Sequence, residues 1–222
     1  MNKYVLPILI VATSILYIWL IPNQPASVKL LFKLIPMWLM IAYAWLRRPA
    51  EPRRYGICVL IGLFFCMLGD GLLGVSFVVG LSAFLVGHLF YIAGFLSAWR
   101  FSFAKAVMLL PIAAYGFLVG RELLAALVQN GQTPLLVPVV LYVLVISFMA
   151  WASIMTGRGW AAFGALLFVA SDSILAWNKF VSDVAYSGPL IMTTYYAAQF
   201  LIASSFPAKT PQPRTAETNH SA

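Results

Sequence analysis

Eight apolar runs, most of them close to 20 residues long, dominate this chain: 4–21, 27–46, 55–73, 77–99, 104–120, 134–154, 160–177 and 188–206. A membrane-spanning helix needs about 20 mostly apolar residues. Within hydrocarbon a backbone must satisfy its own N–H and C=O groups, which a helix does and an isolated extended segment does not. Breakers fall between the runs: Pro22 and Pro25, Pro49 and Pro52, Gly131 and Pro134, Gly157 and Gly159, Gly188 and Pro189. The expected fold is therefore all-α, a polytopic transmembrane bundle of eight helices over residues 1–206. The remaining stretch, 207–222, is polar and rich in proline and threonine, a composition expected to stay disordered.

Composition agrees. Apolar residues make up 63% of the chain and charged residues 9%, against about 45–50% and 25% in soluble domains. The net charge of +8 does not form a nucleic-acid patch, because the bases are scattered between the apolar runs. They report topology instead. With the N-terminus inside, Lys3, Arg47, Arg48, Arg53, Arg54, Arg100, Lys105, Arg158, Lys209 and Arg214 fall in the cytoplasm. Lys29, Lys33, Arg121 and Lys179 fall on the other side, a clear positive-inside bias with both termini cytoplasmic. The first run is too long for a signal-peptide core and no small-x-small cleavage site follows it, so it reads as a retained helix. Cys58 and Cys66 are too far apart on one helix to bridge, and no CxxC or His/Cys cluster suggests a metal. The expectation is a multi-pass integral protein of a cell membrane, the inner membrane of a bacterium, with no cofactor and no metal.

Two acids stand inside the apolar runs. Residues 62–73 read GLFFCMLGDGLL around Asp70, and 164–175 read GALLFVASDSIL around Asp172; a shift of 102 aligns the glycines, aspartates and leucines. Leu6-Pro7-Ile8 recurs as Leu110-Pro111-Ile112, and Ile35-Pro36 as Val137-Pro138. These matches, in chain order, suggest a parallel 4+4 internal repeat with halves 1–100 and 104–206, the two acids facing each other between them. An ionisable residue within a membrane costs about 2.5–3.5 kcal/mol even on insertion scales, so by default it marks a functional site. Asp70 and Asp172 are the candidate catalytic pair, roughly 22 and 18 Å from the cytoplasmic edge at the rise of a helix.

Other polar groups gather toward the same, non-cytoplasmic half. Lys29 and Lys33 share a face of the second run; Asn178 and Lys179 close the seventh; Tyr195, Tyr196 and Gln199 lie in the eighth, with Tyr195 and Gln199 on one face. His88 and Tyr91 share a face of the fourth run, deeper than Asp70. Each also has a structural reading. The aspartates can cap helix ends, His88 can bridge helices, Lys29 and Lys33 can snorkel to headgroups, and Ser171 and Ser173 can permit close packing. Neither serine sits in a Gly-x-Ser-x-Gly elbow.

At Gly69-Asp70 with Leu73, at Phe84-Leu-Val-Gly-His88-Leu-Phe-Tyr91, at Ser171-Asp172-Ser-Ile-Leu175 and at Asn178-Lys179-Phe180, the chain resembles the YhhN/TMEM86 family of eight-span membrane proteins. Lys33-x-x-Pro36 and Tyr196-x-x-Gln199 also fit, and the resemblance covers the chain up to Phe206. It implies lysoplasmalogenase activity: hydrolysis of the vinyl ether bond of a lysoplasmenyl-choline or -ethanolamine to a fatty aldehyde and a glycerophospho-alcohol. That chemistry protonates the vinyl carbon, forms an oxocarbenium ion and adds water. Two carboxyls in different protonation states suit it, as in glycosidases. The chain does not assign which is the acid, and the pair can titrate as a unit; Asp172, the deeper, is favoured as acid and Asp70 as base. The partners expected are a lysophospholipid, water and the surrounding membrane lipids; its phosphate would meet Lys33 or Lys179, and tyrosine and glutamine would hold glycerol or water. The chain sets neither oligomeric state nor headgroup preference. The alternatives are a proton-coupled transporter, for which parallel repeats with buried acids are equally apt, and a lysolipid hydrolase acting on another bond.

Overall fold

The structure, a computed structural model, describes residues 4–22, 25–48 and 53–206. Expectations for Lys3, Pro49, Pro52, Lys209, Arg214 and the tail 207–222 lie outside the described residues. Eight helices follow one another: α1 (Val5–Leu20), α2 (Ala26–Arg47), α3 (Arg53–Leu72), α4 (Phe77–Ser97), α5 (Leu109–Gln129), α6 (Leu136–Met155), α7 (Gly159–Phe180) and α8 (Ser187–Ser204). The final turn of α1, Leu16–Leu20, widens into a π-helix. A short turn, Phe103–Ala106, leads into α5, and a 3₁₀ turn, Thr133–Leu135, leads into α6. No strand occurs among the described residues.

Six of these helices, α2 to α7, are long and apolar enough to cross a membrane; α1 is shorter. The 18 residues of α8 reach about 27 Å. The outer surface is apolar, with Leu20, Leu110, Phe117 and Val137 each 68–71% exposed, a surface that suits lipid and not water.

One boundary corrects the sequence reading. The fifth run does not stop at residue 120; α5 continues through Arg121 and Glu122 to Gln129. Arg121 Nε donates to Glu122 Oε1 at 2.8 Å, so the two charges offset each other locally, and Leu123 and Leu127 resume the buried face. Lys179 sits within the last turn of α7, closing it as the sequence suggested.

Close approach builds the core. The α3–α4 hairpin is the most intimate pair: a Cβ on Gly69 would stand 2.7 Å from the Phe84 ring, and one on Gly87 would stand 2.8 Å from Cys66 Sγ. The α7–α8 hairpin closes similarly, since a Cβ on Gly164 would lie 2.8 Å from the Ala198 carbonyl oxygen. Small residues at helix crossings are how helices associate when the surrounding solvent is as apolar as their side chains. Helix α2 packs on α3 and α8, and α6 packs on α7 and α4.

Hairpin alternation brings one set of ends together. Arg158 Nη1 donates to the Ser205 carbonyl at 3.0 Å and stacks over Tyr55, while the Arg100 amide donates to the Met155 carbonyl at 3.0 Å. At the opposite end, Asn130 Nδ2 donates to the Phe180 carbonyl at 3.2 Å and Phe77 meets Phe180 edge-on.

Candidate active site

Asp70 occupies the last turn of α3, where the adjoining Gly69 leaves room for the Phe84 ring. Its Oδ1 is 2.9 Å from Lys33 Nζ, and the same ammonium donates to the Asp70 backbone carbonyl at 3.3 Å. The carboxylate side chain is 3% exposed and the lysine 16%. A charge in such surroundings is tolerated only when paired, so Lys33 and Asp70 require each other. Tyr196 fixes the lysine's backbone by donating its hydroxyl to the Lys33 carbonyl at 2.7 Å, and Tyr17 of α1 packs edge-on against Tyr196. Helices α1, α2, α3 and α8 are thereby locked around one carboxylate. Lys33, expected as a phosphate contact, has its charge engaged inside the bundle.

Asp172 is held differently. The Tyr142 hydroxyl of α6 donates to its Oδ2 in a short hydrogen bond. Its partner is thus a neutral hydroxyl, not a cation. Ser171 beside it donates to the Ile191 carbonyl at 3.0 Å, binding α7 to α8, and Ser173 donates back to the Val169 carbonyl at 2.7 Å. These two serines serve packing, as the sequence suggested they could. Asp172 and Tyr142 form part of the wall of a narrow, largely apolar cleft among α4, α5, α6 and α7. Phe77 and Phe180 line one end, and Tyr115 and Ser147 the other.

No hydrogen bond or ion pair joins the two carboxyls directly among the described residues, although they lie close enough for their charges to interact. A continuous chain of rings connects their surroundings. Tyr195 lies beside Asp70; its ring centroid is 5.4 Å from that of Phe168, which is 4.6 Å from His88, which is 5.4 Å from Tyr142 on Asp172. Phe84 touches Tyr195 and Phe168 and also lines the cleft. One turn beyond His88, Tyr91 donates its hydroxyl to Gln199 Oε1 at 2.6 Å, and Cys66 approaches both. His88 and Gln199 are fully buried.

The structure therefore gathers Lys33, Asp70, His88, Tyr91, Asp172, Tyr195, Tyr196 and Gln199 into one buried region. Asn178 stands apart: its Oδ1 accepts the Val184 amide at 2.9 Å and orders the α7–α8 loop. Lys179 is exposed, its ammonium 5.7 Å from the centre of the Phe77 ring at the end of the cleft. Lys29 is one helical turn from Lys33 toward the start of α2. The sequence reading missed Tyr142, Phe84 and Phe168. A signal existed for the first, the sole tyrosine of the sixth apolar run.

Membrane-type helices enclosing two carboxyls, one ion-paired and one on the wall of an apolar cleft, define a class of polytopic membrane protein with an internal acidic site. Residues 28–206 match the YhhN family model, and the chain belongs to the YhhN family. Among curated proteins it is 32% identical to human lysoplasmalogenase TMEM86B, over 89% of this chain and 83% of that protein. It is 34% identical to human lysoplasmalogenase TMEM86A, over 87% and 85%. A Mycobacterium tuberculosis lysoplasmalogenase is 29% identical over 77% of this chain and 67% of its own length. No solved structure matches.

Proposed function

We propose that this protein is a lysoplasmalogenase-type hydrolase that cleaves the vinyl ether bond of a single-chain plasmenyl lipid within the membrane. The observation that carries the reading is Asp172 on the wall of the apolar cleft: an acid placed where an alkenyl chain would lie. The cleft is narrow and lined mainly by Leu, Phe, Val and Ile side chains, as small-molecule sites usually are. Its polar contribution is limited to a few groups, which suits a hydrocarbon chain carrying one reactive bond.

In this mechanism Asp172 delivers a proton to the vinyl carbon, and the positive charge moves to the ether-linked carbon as an oxocarbenium ion. Tyr142 orients the carboxyl and replaces the lost proton's hydrogen bond. Asp70, kept as an anion by Lys33, supplies the negative field that stabilises the cation. Water adds, the hemiacetal collapses, and a fatty aldehyde and a glycerophospho-alcohol leave. The ion pair at Asp70 and the neutral partner at Asp172 support the assignment of roles. Lys179, exposed at the Phe77 end of the cleft, is placed to meet the phosphate.

The packing also supports the four-plus-four repeat. The second helix of each half meets the fourth helix of the other, α2 on α8 and α6 on α4, and the third and fourth helices form the tight hairpin in both halves. Pro7 and Pro111 are each the third residue of their helix, whereas Pro36 lies mid-helix and Pro138 in a first turn. The first pair fits the repeat and the second does not. In the membrane all eight helices span, with the Arg53, Arg100 and Arg158 end cytoplasmic.

The test is aldehyde release by purified protein in detergent from lysoplasmenyl lipids, with products identified by mass spectrometry. Aldehyde from wild type and none from Asp172→Asn is the expected result. Release of a fatty acid from lysolipid esters instead would move the reaction to another bond. Silence in detergent with acid-dependent solute flux in sealed liposomes would make the protein a transporter.

A further inference from the structure

Behind the lipid cleft lies a second feature that the reading above does not use. Five buried polar atoms have no hydrogen-bond partner in the protein among the described residues: Asp70 Oδ2, both ring nitrogens of His88, the Tyr195 hydroxyl and Gln199 Nε2. Their residues are 0–4% exposed. They are also neighbours. Tyr195 is next to Asp70 and to Gln199, and its ring and that of His88 each pack against Phe168. They come from three helices, α3, α4 and α8, and all turn toward the inside of the bundle.

Tyr195 lies within reach of both Asp70 and Gln199, but both ring nitrogens of His88 have no such neighbour, and a buried polar atom left unpaired costs about 1–3 kcal/mol. Buried water is the usual answer, since such a molecule makes roughly three hydrogen bonds to groups of this kind. The donor and acceptor set fits water well: a carboxylate oxygen accepts, an amide nitrogen donates, and a phenol and an imidazole do either. A lipid tail fits none of them.

Phe84 divides the two regions. One side of its ring lines the cleft that holds Asp172, and its other contacts are Tyr195, Phe168 and the space left by Gly69 next to Asp70. We propose that the cluster of Asp70, His88, Tyr195 and Gln199 is an internal hydration site that supplies the hydrolytic water, so that lipid and water reach the reacting carbon from opposite sides of Phe84. Its catalytic part rests on the vinyl ether reading; the hydration site itself does not. The water oxygen bonds to the oxocarbenium carbon as its proton passes toward Asp70 Oδ2, the carboxylate oxygen not engaged by Lys33. That proton balances the one Asp172 has delivered. When the hemiacetal collapses, its hydroxyl proton goes to the departing glycerol oxygen. Net consumption is one water per bond cleaved, with no other reactant. Tyr195 and Gln199 act as positioning residues.

X-ray hydroxyl-radical footprinting of substrate-free protein in detergent tests the site, because radicals form where water is bound. Tyr195 is expected to be modified roughly tenfold faster than Tyr55, an equally buried tyrosine whose hydroxyl is already bonded to Ser205. Met67, one turn before Asp70 on α3, should outpace the fully buried Met149. Equal rates within both pairs would overturn the proposal without reference to any substrate. The supply role is tested with Tyr195→Phe and Gln199→Leu in lysoplasmenyl hydrolysis containing methanol. Each should lower kcat by roughly 10- to 100-fold with KM unchanged, and should raise the acetal-to-aldehyde product ratio as methanol competes for the cation. Wild-type kcat and product ratio in both variants would remove the supply role. A strong Tyr195 footprint in a protein that releases no aldehyde from any plasmenyl lipid would uphold the site and end only the vinyl ether reading.

Discussion

The two carboxyls differ in partner, Asp70 on the Lys33 ammonium and Asp172 on the Tyr142 hydroxyl, and the proposed mechanism turns on that difference. For Asp172→Asn we expect kcat to fall by about 10²- to 10⁴-fold, the usual contribution of a positioned acid, while the thermal midpoint in detergent stays near wild type because the amide can still accept from Tyr142. Retained turnover would remove Asp172 as the proton donor. Asp70 and Lys33 behave as a unit. Lys33→Met or Asp70→Leu alone leaves an unmatched buried charge and should cost about 3–5 kcal/mol; the double variant Lys33→Met/Asp70→Leu should recover much of that loss. Additive losses in a double-mutant cycle would show that the ion pair does not hold the site together. Asp70, Asp172, His88, Tyr91 and Gln199 were legible because each is a polar side chain in an apolar run. Tyr142 carried the same mark as the sole tyrosine of its run, whereas Phe84 and Phe168 carried none, since phenylalanine occurs on most packing faces of such helices.

Glycines in helices do not act alike at the level of the element. Gly164 faces the Ala198 carbonyl, backbone that cannot move aside, whereas a Cβ on Gly71 meets nothing within 4 Å. Gly164→Ala is therefore expected to destabilise the α7–α8 hairpin by about 1–3 kcal/mol, an overpacking cost. Gly71→Ala should be neutral or stabilising by up to about 1 kcal/mol. Thermal unfolding in detergent compares them; the reverse order would mean that the two hairpins are not packed as described. Element boundaries were mostly visible in the run lengths, because proline and glycine stop helices locally. Helix α5 was the exception. A rule that ends a span at the first charge fails where Arg121 and Glu122 neutralise one another and the apolar face resumes behind them.

Whole-molecule organisation makes a prediction about sides. With Cys58 and Cys66 replaced by alanine, a cysteine at Val75, 84% exposed in the α3–α4 loop, should react with a membrane-impermeant maleimide in intact cells. One at Phe101, 76% exposed at the arginine-rich end, should react only after permeabilisation. The opposite pattern would invert the topology and place the Lys179 end of the cleft in the cytoplasm. That this chain forms apolar helices of spanning length was settled by the sequence alone, because backbone hydrogen bonding and hydrophobic length are local properties that each segment carries in itself. Which partner each acid received was decided only by tertiary structure. Lys33 meets Asp70 across 37 residues, Tyr142 meets Asp172 across 30, and Tyr91 meets Gln199 across 108. Such pairings follow from which helix faces press together, and in a chain whose faces are almost uniformly apolar that choice is made by shape, glycine against ring, and not by any pattern along the sequence.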